Sequence, residues 1–261
     1  NTNTITSTGA QTYSGAVTLG ANTTLTGAGI TLASTVVSDG TNRSLTINDS
    51  GTTTLGAAIG GTTSTQALSS LSTDAAGTTA LNAGTVNTTG AQTYADNLTL
   101  GADTTLAASS VTSLGTVVGN AKALSITGNA VFGDASADSL TGLSSLAVSG
   151  TTLLNTDTVT STGTQTYGGA LSLAENTTLT GSTVSTQGTL NGGAKTLTIT
   201  GNAVLGNSAD DTASNLSSVS VSGITGINTN TITSTGAQTY TGAVTLGANT
   251  TLTGAGITLA S

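Results

Sequence analysis

Residues 1–34 of the chain return as residues 228–261 with one change, Ser14 becoming Thr241. A fold closed around a unique core has no use for its opening strands a second time, whereas a tandem array does. The return of Asn1 as Asn228 defines a cassette, and the chain covers one cassette and the opening of the next. A shorter repeat lies inside it. The motif GAQTY ends at Tyr13, Tyr94 and Tyr240, and its variant GTQTY at Tyr167. The sub-repeats span 4–84, 85–157 and 158–230, with the next cassette opening over 231–261. The first is the longest and the loosest.

Within the blocks, aliphatic and hydroxyl residues alternate strictly, as in Leu45-Thr-Ile47-Asn, Leu124-Ser-Ile126-Thr, Leu197-Thr-Ile199-Thr and Val219-Ser-Val221-Ser. A period of two places the aliphatics on one face of a strand and the hydroxyls on the other. No stretch carries a helical period, and Thr, Ser, Gly and Asn are poor helix formers. The strands are short and end at residues suited to turns, such as Asp39-Gly40, Gly128-Asn129 and Gly201-Asn202. Proline is absent, as it should be where strands are flanked on both sides by ladder partners. With a single Phe and no Trp, sandwich domains built on a buried aromatic core are excluded. These features predict an all-β chain, a β-solenoid running as one continuous segment over 1–261. Spacing between strand–Gly motifs suggests coils of about 24 residues, three to each sub-repeat. Four coils of about 18 residues is the alternative.

The blocks TGAQTYxGAVTLGANTTLTG, TLTITGNAVLG and SSLSTDAAGTTALN resemble the repeat regions of giant secreted bacterial surface proteins. These are the filamentous-haemagglutinin-type exoproteins and related large adhesins, and the resemblance implies their shaft fold, a right-handed parallel β-helix, with no capping domain in this segment. The resemblance covers essentially the whole chain, and its motifs speak for a repeat shaft and for no particular ligand. It implies an extracellular location, on the bacterial surface or released from it, and a structural role in adhesion or biofilm. The partners it implies are neighbouring repeats or copies of the chain end to end, with glycans or host surfaces met through regions outside this segment. The lack of cysteine fits such an exoprotein, and the lack of a leader or an apolar span marks the segment as mature or internal sequence.

Chemistry-bearing residues are few. Without His or Cys the usual nucleophile–base pairs cannot be assembled, so no enzyme and no cofactor are expected. A polysaccharide-cleaving β-helix would need basic residues, and only Arg43, Lys122 and Lys195 are present. They share a block position, roughly three coils apart on this reading. They form either a periodic row for anionic glycans or, more plainly, solvated charges that discourage lateral association. Asp134 and Asp138, and Asp210 and Asp211, fall in corresponding loops and are weak calcium candidates beside the plainer reading of solvated turns. Tyr13, Tyr94, Tyr167 and Tyr240 mark the repeat. They suit sugar stacking or, more simply, corner filling. Phe132 aligns with Leu205 and is assigned to the core. The net charge of −8 excludes nucleic acid and disfavours anionic membrane, and no membrane insertion is expected. Thr-x-Thr runs such as Thr2-Asn-Thr4 and Thr231-Ile-Thr233 raise an ice-binding solenoid as the main rival. Against it, the threonines look scattered over several strands, where β-branching alone accounts for them.

Overall fold

A computed structural model describes residues 2–260. Its elements are all β-strands, and the strands pair in parallel. The chain divides into two compact units, Asn1–Val131 and Phe132–Ser261. Each unit is a β-solenoid.

In the first unit, Thr4 pairs with Thr24 and Gln11 with Ile30. In the second, Thr158 pairs with Thr178 and Thr164 with Thr183. One coil is thus about 20 residues, neither of the two lengths read from sequence. Each coil has three short faces, so counting every second strand does not complete a turn. Two insertions widen it locally. The loop around Gly61–Leu68 lengthens the turn that joins Leu45 to its partner Leu71, and the acidic loop near Asp211 lengthens the one from Leu190 to Ala213.

The alternating pattern is realised coil after coil. Leu25, Ile47 and Leu71 in the first unit, and Val159, Leu179, Ile199 and Val221 in the second, are at most 4% exposed, while the residues between them face outward. Stacking such aliphatics removes roughly 1.5–3 kcal/mol worth of apolar surface per side chain from water. The stack also supplies the interior strands with ladder partners on both sides. Phe132 and Leu205 are both core residues.

The sub-repeat does not close on itself. Tyr13 shares a face with Leu32, Leu55 and Leu81, but Tyr94 stacks in the column of Leu25, Ile47 and Thr73. In the second unit Tyr167 stacks with Thr186, Leu205 and Ile227, whereas Tyr240 follows Ile199 and Val221. In both units the GxQTY block returns after three turns and two of the three faces, one face short of a whole number of coils.

Candidate functional site

The most elaborate side-chain arrangement is built by the GxQTY block itself. In a strand reading Gln-x-Tyr, both side chains point inward. Gln92, Gln165 and Gln238 are fully buried, as are Tyr94, Tyr167 and Tyr240. Gln165 Nε2 donates to Val159 O at 3.2 Å and to Thr180 O at 2.8 Å. Gln92 does the same to Val86 O and Ala107 O, and Gln238 to Ile232 O and Thr253 O. The first carbonyl belongs to the preceding strand and the second to the next coil, so the amide clamps two coils at a corner. Each tyrosine hydroxyl donates to the glutamine Oε1 two residues earlier, at 2.9–3.1 Å, which fixes the amide orientation. A buried amide left unpaired would cost about 1–3 kcal/mol, so the tyrosine completes a satisfied network. Small inward residues make room for the ring: Ser113 lies beside Tyr94 and Thr186 beside Tyr167. Burial pushes all three phenols far above their ordinary range. Tyrosines wholly out of contact with solvent cannot serve as platforms for sugars. The half-buried Tyr13, whose hydroxyl donates to Gln11 Oε1 at 2.7 Å, is the exception to this burial.

The basic residues do not form a row. Arg43 opens the face that carries Ile47 and pairs with Asp39 at 3.1 Å. Lys122 lies beside Ala123, whose N–H donates to Asp103, and so opens the face that carries Leu106. The incomplete turn of the sub-repeat sends the two to different faces of the same unit, which overturns the periodic-row reading. Lys195, in the second unit, stands 3.8 Å from Glu175.

The acidic loops are closed by their own carboxylates. Asp138 Oδ2 accepts the N–H groups of Asp134 and Ala135, and Asp211 Oδ2 those of Asn207 and Ser208. Asp134 and Asp210 are exposed. Among the described residues no group of three or more His, Cys, Asp or Glu is placed to hold a metal ion.

Two acids escaped sequence reasoning. Asp49 is 1% exposed; its carboxylate accepts from the N–H groups of Gly29 (2.5 Å), Ile30 (2.7 Å) and Gly51 (2.9 Å) and from the Thr53 hydroxyl (3.0 Å). Burial pushes this carboxyl up, but the four donors outweigh it and hold the group below its ordinary range. Asp96, 4% exposed, receives the hydroxyls of Thr73 and Thr79. Here burial dominates, Asp74 adds repulsion, and the carboxyl is raised. The buried glutamines were equally overlooked. Their signal was available, since a Gln at an inward position of an alternating strand must find partners.

The threonines are more ordered than the sequence suggested. Thr158, Thr178, Thr198, Ser220, Thr239 and Thr258 pair rung to rung on one outward column of the second unit. Thr160, Thr180 and Thr200 form a second column beside it. Thr231 and Thr233 pair with Thr251 and Thr253 on another face, so the hydroxyls do spread over several strands, but within each column they keep register.

Among the described residues no helix is long and apolar enough to cross a membrane. Compared with known protein families, curated proteins and solved structures, the chain has no match.

Proposed function

We propose that the chain is a structural repeat segment of an extracellular bacterial fibre or adhesin shaft, extending adhesive regions away from the surface or building filaments. One observation carries this reading: the block 1–34 returns almost unchanged in a fold whose coils stack through backbone ladders and repeated Gln–Tyr clamps. In such a fold stability grows by adding coils and nearest-neighbour terms, so repetition is a direct route to length. The polar side chains at the corners are engaged in holding backbone, which suits a passive shaft. Surface location, adhesion and biofilm follow from the resemblance of the blocks to large exoprotein repeats and belong to the proposal. Electron microscopy of the native protein tests it. Fibres whose axial repeat matches one cassette are expected, and compact particles would refute the reading.

The hydroxyl columns favour a second reading, an ice-binding face. Threonines about 4.8 Å apart between rungs and about 6.6 Å apart along a strand make an uncharged grid, stiff at χ1 because Thr is β-branched. Thermal hysteresis separates the two readings. A clear freezing-point depression, lost on replacing Thr178 and Thr198 by Lys, supports this one, and its absence removes it.

A further inference from the structure

One buried carboxyl stands apart from the Gln–Tyr clamps. Asp96 follows Tyr94 by two residues, at a position that the other GxQTY blocks give to Gly15, Gly169 and Gly242. It is 4% exposed, and its carboxylate reaches back into the preceding coil. There one oxygen accepts the Thr73 hydroxyl at 3.1 Å and the other accepts the Thr79 hydroxyl at 2.9 Å. Thr73 ends the strand Ser70–Thr73, and Thr79 lies in the strand Thr78–Leu81, so the carboxyl spans the turn of residues 74–77. Thr79 is shared with the other sub-repeats, as Thr152 and Thr225, but Thr73 stands where they place Val148 and Val221. Two departures from the repeated pattern, Thr73 and Asp96, thus meet at one corner of the loosest sub-repeat. The turn they bracket is exposed at residues 75–77. Its flanks are tied by the Asp74 N–H to Ile47 O at 3.1 Å and the Thr78 N–H to Gly51 O at 3.0 Å.

The basic residues of this unit lie elsewhere. Arg43 pairs with Asp39 at the far end of the Ser44–Asp49 strand, and Lys122 opens the face that carries Leu106. The titratable groups on the elements around Asp96 are three. Asp74, in the turn itself, accepts the Asp49 N–H at 2.9 Å; Asp49, one coil further back, is occupied by its own donors; and the Tyr94 hydroxyl is taken up by Gln92. A hydroxyl both donates and accepts, so the two threonines suit a neutral carboxyl, which donates to one of them and accepts from the other. A charged carboxyl at this depth has two neutral donors, no cation and the Asp74 charge beside it, an arrangement that burial makes costly. We propose that Asp96 is a proton-operated clasp: with its proton it ties Thr73 to Thr79 and holds the turn of residues 74–77 down, and without it the turn loosens while the other rungs stay closed. The direction follows from burial, which holds this carboxyl above its ordinary range. The clasp is closed on the acidic side and loosens as pH rises through the folded value. The response is local to one corner, and it holds whether or not the chain is a shaft.

Hydrogen exchange followed across pH 4–9, corrected for the intrinsic rate at each pH, tests the clasp. Protection of the Thr78–Leu81 amides should fall by about tenfold from the acidic to the alkaline end, while that of Thr177–Thr186 changes by less than about twofold. Asp96→Asn matches the carboxyl in shape and cannot ionise, so it should keep the high, acid-side protection at every pH. Asp96→Gly restores the residue of the other blocks and should show low protection at every pH. Asp74→Asn removes the neighbouring charge, so the fall should begin at lower pH and become shallower. A flat profile in the unaltered chain overturns the proposal. So does a fall of equal size in Asp96→Asn and Asp96→Gly, which would place the titrating group elsewhere, or a fall shared by Thr177–Thr186, which would mean a global response. Circular dichroism at both ends of the range checks that each variant keeps its strands, and Asp96→Gly carries the test if Asp96→Asn does not fold.

Discussion

Asp49 and Asp96 lie in the same unit, both nearly inaccessible to water, yet burial leaves them on opposite sides of the ordinary aspartate range. Asp49 has four donors, two of them from the tight approach of Gly29 and Ile30, and its lowered carboxyl stabilises the fold above the unfolded value of about 3.9. That contribution is lost as pH falls through the folded value. Asp96 behaves in the opposite sense: its share of stability is fully present below about 3.9 and is lost as pH rises through its raised folded value. Asp49→Asn is therefore expected to lower stability at pH 7 by about 2 kcal/mol, and Asp96→Asn to raise the melting temperature there. Both differences should shrink towards pH 3, as thermal melts across pH 3–7 will show. Gln165→Leu is expected to cost about 1–3 kcal/mol, because it strands the Tyr167 hydroxyl and takes a donor from the buried Val159 carbonyl and the part-buried Thr180 carbonyl at once. Denaturant titration against the isolated loss of the phenol in Tyr167→Phe measures how much of that belongs to the clamp.

At the scale of strands and turns, the bends are where sequence and geometry agree most directly. Gly201, followed by Asn202, has φ +128°, and a Cβ there would run into Gly181 O in the adjacent coil. Gly201→Ala is expected to destabilise by about 1–3 kcal/mol through this forced backbone conformation, with the neighbouring rungs between 183–186 and 202–205 losing hydrogen-exchange protection first. Strand identity, parallel stacking and the inward aliphatics were legible in the sequence, because a period of two with Gly and Asn punctuation has one physical reading. Coil length was not. Three faces of similar composition give no mark that says where a turn is complete, so Leu171, Leu179 and Val184 look alike although they occupy three different faces. The Gln–Tyr clamp was half legible: the tyrosines advertised themselves by recurrence, while the glutamine beside them looked like an ordinary polar residue. Asp49 and Asp96 had no repeat partner to point to them.

For the molecule as a whole, the twin blocks separate what sequence contributes from what position contributes. Ile30 and Ile257 sit in the same local sequence, yet one is fully buried and the other 40% exposed. Ile30→Ala should therefore cost about 2–5 kcal/mol, which equilibrium unfolding of the variant will measure. Stability in a stacked fold belongs to neighbours, and a coil with one neighbour has only part of it. The sub-repeat that returns one face short of a full turn bears on how such a chain changes over generations. The next sub-repeat always begins on a face that already accepts the same strand pattern. Recombination between matching blocks can then delete or duplicate a sub-repeat and rejoin strand to strand without a broken coil at the scar. Length then becomes a variable that can change without new sequence, and the number of sub-repeats is expected to differ among close relatives of this chain far more than their sequence does, which comparing such chains will check.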